Sequence, residues 1–189
     1  ITSIVKKYNL DLRLTPNQDV LLCNIDDKNK SEIKKSLSKI GYDNLEDINE
    51  IQRHALACPA LPLCGLAMTE AERILPDVLK RIEKLLIDLE IEKTILFRMT
   101  GCPNGCTRPY MAELALVGSG QNKYQLWLGG SKNLQRLAKP FLQRMELNDL
   151  EKTLQPLFNS WKSNSDMDFG DFINMQDKNY IMNLLNEIQ

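Results

Sequence analysis

The stretch TGCPNGCTRPYMAELALVG, Thr100 to Gly118, sets Cys102 and Cys106 in a turn-rich hexapeptide between two apolar runs. Upstream, KTILFRMTG (residues 93–101) leans toward β structure and ends at the first cysteine. Downstream, ELALVGSGQNKYQLWLGG (113–130) has the alternation of a hairpin, with its turn carried by Gly118, Gly120 and Asn122. A strand and a hairpin on either side of the cysteines, interleaved with helices elsewhere, argue for a mixed sheet.

Working outward, strands and helices alternate. LRLTPNQDVLLCNI reads as two short strands about a turn at Pro16 and Asn17, and KSEIKKSLSKIGY as an amphipathic helix stopped by Gly41. A proline- and cysteine-rich loop, ALACPALPLCGLAM, follows. TEAERILPDVLKRIEKLLIDLE shows a capping pair, Thr69 and Glu72, ahead of apolar positions at helical spacing; Pro76 should kink that helix or mark a second start. DLEKTLQPLFNSWK reads as a helix, SNSDMD as a linker, and FGDF as the approach to a last helix, YIMNLLNEI. The sum predicts an α+β fold with a mixed sheet and helices.

Composition bounds the function. The 189 residues, 43% hydrophobic and 26% charged, are enough for one substantial core or two small ones. No apolar run approaches the roughly 20 residues of a membrane helix, and the amino end lacks the pattern of a secretory signal. An intracellular, cytoplasmic setting without membrane attachment is therefore expected, or the plastid stroma if the source is a plant or alga. The chain lacks an initiator Met and opens on what reads as the tail of a helix, so a piece of a longer polypeptide is expected.

The net charge of −1 conceals an uneven distribution. Residues 93–145 carry eight bases (Lys93, Arg98, Arg108, Lys123, Lys132, Arg136, Lys139 and Arg144) against one acid, Glu113. This block should meet an anion. Aromatic residues do not form the stacking pattern of nucleic-acid readers, so no nucleic-acid partner is required. A solvated basic face is the simpler alternative, above all for Lys132, Arg136, Lys139 and Arg144, which should fall on or beside a short helix.

Five cysteines sharpen the chemistry. Cys58 and Cys64 form a Cys-x5-Cys pair, Cys102 and Cys106 a Cys-x3-Cys pair, with 37 residues between the pairs; Cys23 stands apart on a strand and reads as a small buried hydrophobe. Disulfides are disfavoured in an intracellular protein with a core of this size. Structural zinc knuckles usually place two residues between cysteines, which neither pair does. Four thiolates on two loops suit an iron–sulfur cluster better, although zinc and no metal remain open on spacing alone. Pro59, Pro62 and Pro103 stiffen those loops, and Gly65, Gly101 and Gly105 let the backbone approach a bulky object. His54, four residues before Cys58, reads as a packing or loop residue.

ACPALPLCGLAMTEAER followed by GCPNGCTRPYMAEL resembles the cofactor signature of the sulfite and nitrite reductase family, in the form found in ferredoxin-dependent assimilatory sulfite reductases of cyanobacteria and plants. Assimilatory nitrite reductases generally carry Ser rather than Gly before the last cysteine. The resemblance extends through LRLTPNQDVLL, YQLWLGG, LEKTLQPLFNSWK and FGDF, nearly the whole chain. It implies the carboxyl-terminal half of that architecture, with residues 1–50 the end of a ferredoxin-like half-domain and residues 51–189 a siroheme and [4Fe–4S] domain.

By the same resemblance Cys58, Cys64, Cys102 and Cys106 ligate a [4Fe–4S] cluster, and Cys106 is also the axial ligand of siroheme iron. Asn104, Arg98 and Arg108 are expected near the macrocycle, whose carboxylates would answer the basic block. The implied activity is six-electron reduction of sulfite to sulfide with electrons from ferredoxin. Nitrite reduction and a non-catalytic [4Fe–4S] electron-transfer module are the competing functions. The family's sulfite-binding bases come from an amino-terminal half that this chain lacks, so no catalytic residue is assigned.

Overall fold

The computed structural model describes residues 1–42, 48–164 and 166–186, which divide into two compact units, 1–49 and 50–189. In the first, helix α1 (Thr2–Tyr8) precedes an antiparallel hairpin of β1 (Asp11–Leu14) and β2 (Val20–Cys23), then helix α2 (Asp27–Ser38). The hairpin turn is held by Thr15, whose hydroxyl accepts from the backbone N–H groups of Asn17 and Asp19 at 3.2 and 3.1 Å. Asp26 caps α2, its carboxylate accepting from the Lys28 N–H at 3.2 Å. Ile4, Leu10 and Ile33 form the small core. Leu12, Leu14, Val20 and Leu21 are exposed, and Cys23 is half-buried rather than enclosed.

The second unit runs through α3 (Glu50–His54), β3 (Leu56–Ala57), α4 (Leu75–Asp88), β4 (Phe97–Thr100), β5 (Leu114–Gly120), β6 (Lys123–Leu128), β7 (Lys139–Glu146), α5 (Leu150–Lys162), α6 (Phe169–Met175) and α7 (Lys178–Asn186). The strands form one mixed sheet in chain order, β3-β4-β5-β6-β7; β3, β4 and β5 are parallel neighbours, and the β5–β6 and β6–β7 pairs are antiparallel. The expected α+β class and mixed sheet are both present.

Strand alternation divides the sheet into two faces. Phe97, Met99, Leu114, Leu116, Tyr124, Leu126 and Leu128 join one core with Val78, Leu79 and Ile82 of α4 and Leu150, Leu154, Leu157, Phe158 and Trp161 of α5. Phe169 closes on Trp161 and Phe158, with ring centroids 5.2 and 5.4 Å away. Pro156 costs α5 about 3 kcal/mol. Five fully buried side chains on the same helix, at about 1.5–3 kcal/mol each, outweigh it. The opposite face carries Arg98, Thr100, Ala115, Val117, Gln125 and Trp127.

Several expectations are corrected. Thr69 and Glu72 do not cap a helix: α4 begins at Leu75 with Pro76 in its first turn, where a missing N–H costs nothing. The Thr69 hydroxyl instead lies 3.0 Å from the Tyr124 hydroxyl and accepts from the Asn122 N–H at 3.2 Å. Lys139 and Arg144 lie on β7, not on or beside a short helix, and Lys132 and Arg136 occupy the connection before it. Pro140 is tolerated there because β7 is an edge strand. FGDF is the first turn of α6 rather than its approach. Of the predicted linker and last helix, Ser165 and residues 187–189 lie outside the described residues.

Candidate functional site

The two cysteine pairs issue from the carboxyl ends of neighbouring parallel strands. β3 pairs with β4 as Leu56 with Arg98 and Ala57 with Met99, and the ladder continues as the Cys58 N–H donates to the Met99 carbonyl at 3.3 Å. Cys58 thus leaves β3 beside the end of β4, from which Cys102 departs two residues later. The crevice outside the carboxyl ends of parallel strands is where open α/β sheets bind ligands. α4 is the crossover that a parallel pair requires, so 37 intervening residues place the two loops side by side.

Backbone hydrogen bonds lock the loops together. The Gly101 carbonyl accepts from the N–H groups of Met68 and Thr69 at 2.8 and 3.2 Å, and the Glu72 N–H donates to the Cys58 carbonyl at 3.1 Å. The contact is too close for any side chain at residue 101: a Cβ there would lie 2.6 Å from the Ala60 Cβ and 2.7 Å from the Thr69 carbonyl oxygen. The close approach made by Gly101 is therefore to the chain itself. Gly105 is needed on two counts, a φ of +65° and a Tyr110 hydroxyl that would lie 1.9 Å from its Cβ.

All five cysteines are free thiols. Cys58 and Cys102 are buried, Cys64 is half-buried and Cys106 exposed. Burial pushes the Cys58 thiol up, opposed by N–H groups of Gly101 and Ala60 and reinforced by charge on Cys106 and Cys102. Cys58, Cys102 and Cys106 thus share one electrostatic neighbourhood. The Gly101 N–H donates to the Cys58 Sγ at 3.3 Å. Among the described residues no three His, Cys, Asp or Glu side chains are positioned to hold a metal ion.

The chemistry around the thiols nevertheless suits an anionic metal–thiolate group. Arg98 is 1% exposed, its Nη1 donates to the Arg108 carbonyl at 3.0 Å, and its Nε is buried without a partner. The Thr100 hydroxyl, on the same face of β4, is likewise buried and unpartnered. Burial, then the charge of Arg108, lowers the Arg98 pKa, and among the described residues no carboxylate counters it. A buried guanidinium Nε and a buried hydroxyl without partners are costly unless an acceptor enters.

The other expected residues distribute as follows. Asn104 is exposed on the hexapeptide and Arg108 half-buried at its end, with φ of +55°. His54 is exposed and lines a cavity with Glu50, Thr94 and Lys132. Lys132 pairs with Asp168 at 3.0 Å and Arg136 with Asp171 at 2.5 Å, so acids from α6 and its cap neutralise part of the basic block. Three residues were missed. Thr107 ties the loop back to β4, its hydroxyl donating to the Met99 carbonyl at 3.1 Å, and Tyr110 packs edge-on against Trp127 at 5.6 Å. Fully buried Glu113 accepts from the N–H groups of Leu96 and Gly170 at 2.8 and 2.9 Å. Its isolation as the one acid of a basic block was the signal for it.

Comparison with known proteins gives concordant results. The family model for the nitrite/sulfite reductase ferredoxin-like half domain matches residues 1–40. A ferredoxin sulfite reductase of Synechococcus elongatus is 49% identical over 175 residues, covering 91% of this chain and 28% of the relative. An NADPH sulfite reductase hemoprotein beta-component of Oceanobacillus iheyensis is 39% identical over 92% of the chain and 31% of its own length. One from Acidithiobacillus ferrooxidans is 38% identical over 94% and 32%. The chain thus spans about three-tenths of the curated relatives it matches. The Mycobacterium tuberculosis NirA protein shares the fold, with a TM-score of 0.73 over 95% of this chain and 35% of that one at 18% identity.

Proposed function

The chain belongs to the sulfite and nitrite reductase family, and from that premise we propose that it is the cofactor-binding carboxyl-terminal part of a ferredoxin-dependent sulfite reductase. The observation that carries this reading is the delivery of Cys58 and Cys102 from adjacent parallel strands, one of which bears a buried arginine whose Nε has no partner among the described residues. Cys58, Cys64, Cys102 and Cys106 would hold a [4Fe–4S] cluster, and Cys106 would also hold the siroheme iron. Together those groups would supply single electrons and a substrate-binding iron for the six-electron reduction of sulfite to sulfide.

The protein's own part is to bind and orient. Cys106, exposed at the surface of its loop, is the thiol accessible to a second, larger group, whereas buried Cys58 and Cys102 are not. Asn104 and Arg108, which also reach the surface of that loop, would meet macrocycle carboxylates. Residues 1–50 would complete a ferredoxin-like half-domain, residues 51–189 would form the cofactor domain, and the sulfite-binding bases would come from an amino-terminal half of the same polypeptide. Ferredoxin rather than NADPH chemistry as the electron source is supported by 49% against 39% identity to the relatives named for each. Among the described residues no helix is long and apolar enough to cross a membrane; the reading places the enzyme in the cytoplasm, or in the plastid stroma if the source is a plant or alga.

The test is absorption spectroscopy of the complete polypeptide, reconstituted anaerobically with iron, sulfide and siroheme. Coupled siroheme and cluster bands are expected; cluster absorbance alone would make the protein an electron-transfer module, and tightly bound zinc without iron would refute the reading. Cys106→Ser should lose the siroheme linkage, while Cys23→Ser, on the hairpin of the first unit, should keep both cofactors. Turnover of sulfite against nitrite then identifies the substrate.

A further inference from the structure

Arg98 stands out on the face of the sheet opposite the helices. It is in register with Ala115 of β5, which is in turn paired with Trp127 of β6. The crossover from β4 to β5, which carries Cys102 and Cys106, folds over this face: Tyr110 packs on Trp127, Thr107 holds the Met99 carbonyl, and Arg98 holds the carbonyl of Arg108. A lysine or a polar residue could make one such bond. A guanidinium carries five donors and a permanent charge, and here its Nε is buried without a partner.

We propose that Arg98 is the internal cation of the cysteine centre, anchoring the Cys102–Cys106 crossover through the Arg108 carbonyl and balancing the negative charge of a cluster held by the four thiolates. This rests on the cluster reading above. Arg98 acts as a positioning residue and counter-charge from within the fold, not as a surface contact of the macrocycle, because only 1% of it is exposed. A fixed positive charge stabilises the reduced, more negative cluster over the oxidised one.

The experiment is a potentiometric titration of the cluster, followed by electron paramagnetic resonance, in the complete holoprotein, with iron and acid-labile sulfide measured alongside. Arg98→Met should lower the ratio of reduced to oxidised cluster at a fixed potential by about tenfold or more, whereas Arg98→Lys should stay close to the wild type. Arg98→Gln, which keeps a donor for the Arg108 carbonyl, carries the same expectation as Arg98→Met should that variant fail to fold. Thr107→Val loosens the same loop without touching the charge, so it should lose iron faster and leave the ratio unchanged. A neutral variant with full iron and a wild-type ratio overturns the proposal. So does one that loses siroheme alone, or a Thr107→Val shift as large as that of Arg98→Met. Wild-type protein without iron and sulfide would instead overturn the cluster reading, and this proposal with it.

Discussion

Glu113 is the buried group whose replacement tests the packing of the 50–189 unit most directly. It is wholly enclosed, and its two carboxylate oxygens accept from backbone N–H groups 57 and 17 residues away in the chain, Gly170 at the start of α6 and Leu96 just before β4. Replacing it with Leu removes both acceptors while keeping most of the volume. Each buried donor left unpaired costs about 1–3 kcal/mol, so Glu113→Leu should destabilise the 50–189 unit by about 2–6 kcal/mol. Glu113→Gln keeps one acceptor and turns an amide toward the other N–H, for a loss of about 1–3 kcal/mol. Both tryptophans, Trp127 and Trp161, lie in this unit, so their fluorescence during urea denaturation follows it. The midpoint should fall at an unchanged slope. Burial, the dominant influence, raises the Glu113 pKa above its ordinary value. Its contribution is therefore fully present below the unfolded pKa and declines as pH rises through the folded one. The stability difference between wild type and the non-titrating Gln variant should accordingly shrink with rising pH. A Leu variant as stable as wild type, or a difference that grows with pH, would refute this account.

Two further outcomes follow from the packing. Gly101→Ala drives a methyl group to within 2.6 Å of the Ala60 Cβ and should cost about 1–3 kcal/mol, read as a lower thermal midpoint; an unchanged midpoint would show that the two loops are not in contact. Arg81 donates through two nitrogens to the Glu151 carboxylate and holds its pKa below the ordinary value. The stability from that pair is present above the unfolded pKa of Glu151 and lost as pH falls through the folded one, so Arg81→Met should flatten the acid limb of the stability profile. An acid limb as steep as that of the wild type would count against it.

The α4 periodicity, the β5–β6 hairpin and the α+β class were legible in the sequence because each is written in local spacing. Other features were not. β3 is two residues long, below the length at which alternation can be seen, and it exists because β4 offers it a parallel edge. β7 was hidden by Pro140 and by charges at Lys139, Arg144 and Glu146, all of which an edge strand tolerates. Thr69 carried a helix-cap pattern, yet tertiary contact with Tyr124 and Asn122 claimed its hydroxyl. The basic residues could be counted but not sorted. Folding buries Arg98, pairs Lys132 and Arg136 with acids, and puts Lys139 and Arg144 on the sheet edge.

The parallel pairing of β3 with β4 also bears on when the cysteines can first work together. Nothing local brings Cys58 toward Cys102; they meet only after α4 has formed and docked and the chain has reversed direction, a contact between segments far apart in sequence whose closure is slow compared with helix formation. During synthesis the first cysteine pair emerges well before the second. The two pairs therefore pass through a period in which they are separate, and a group that needs all four thiols, as proposed above, could be held only once the sheet has formed.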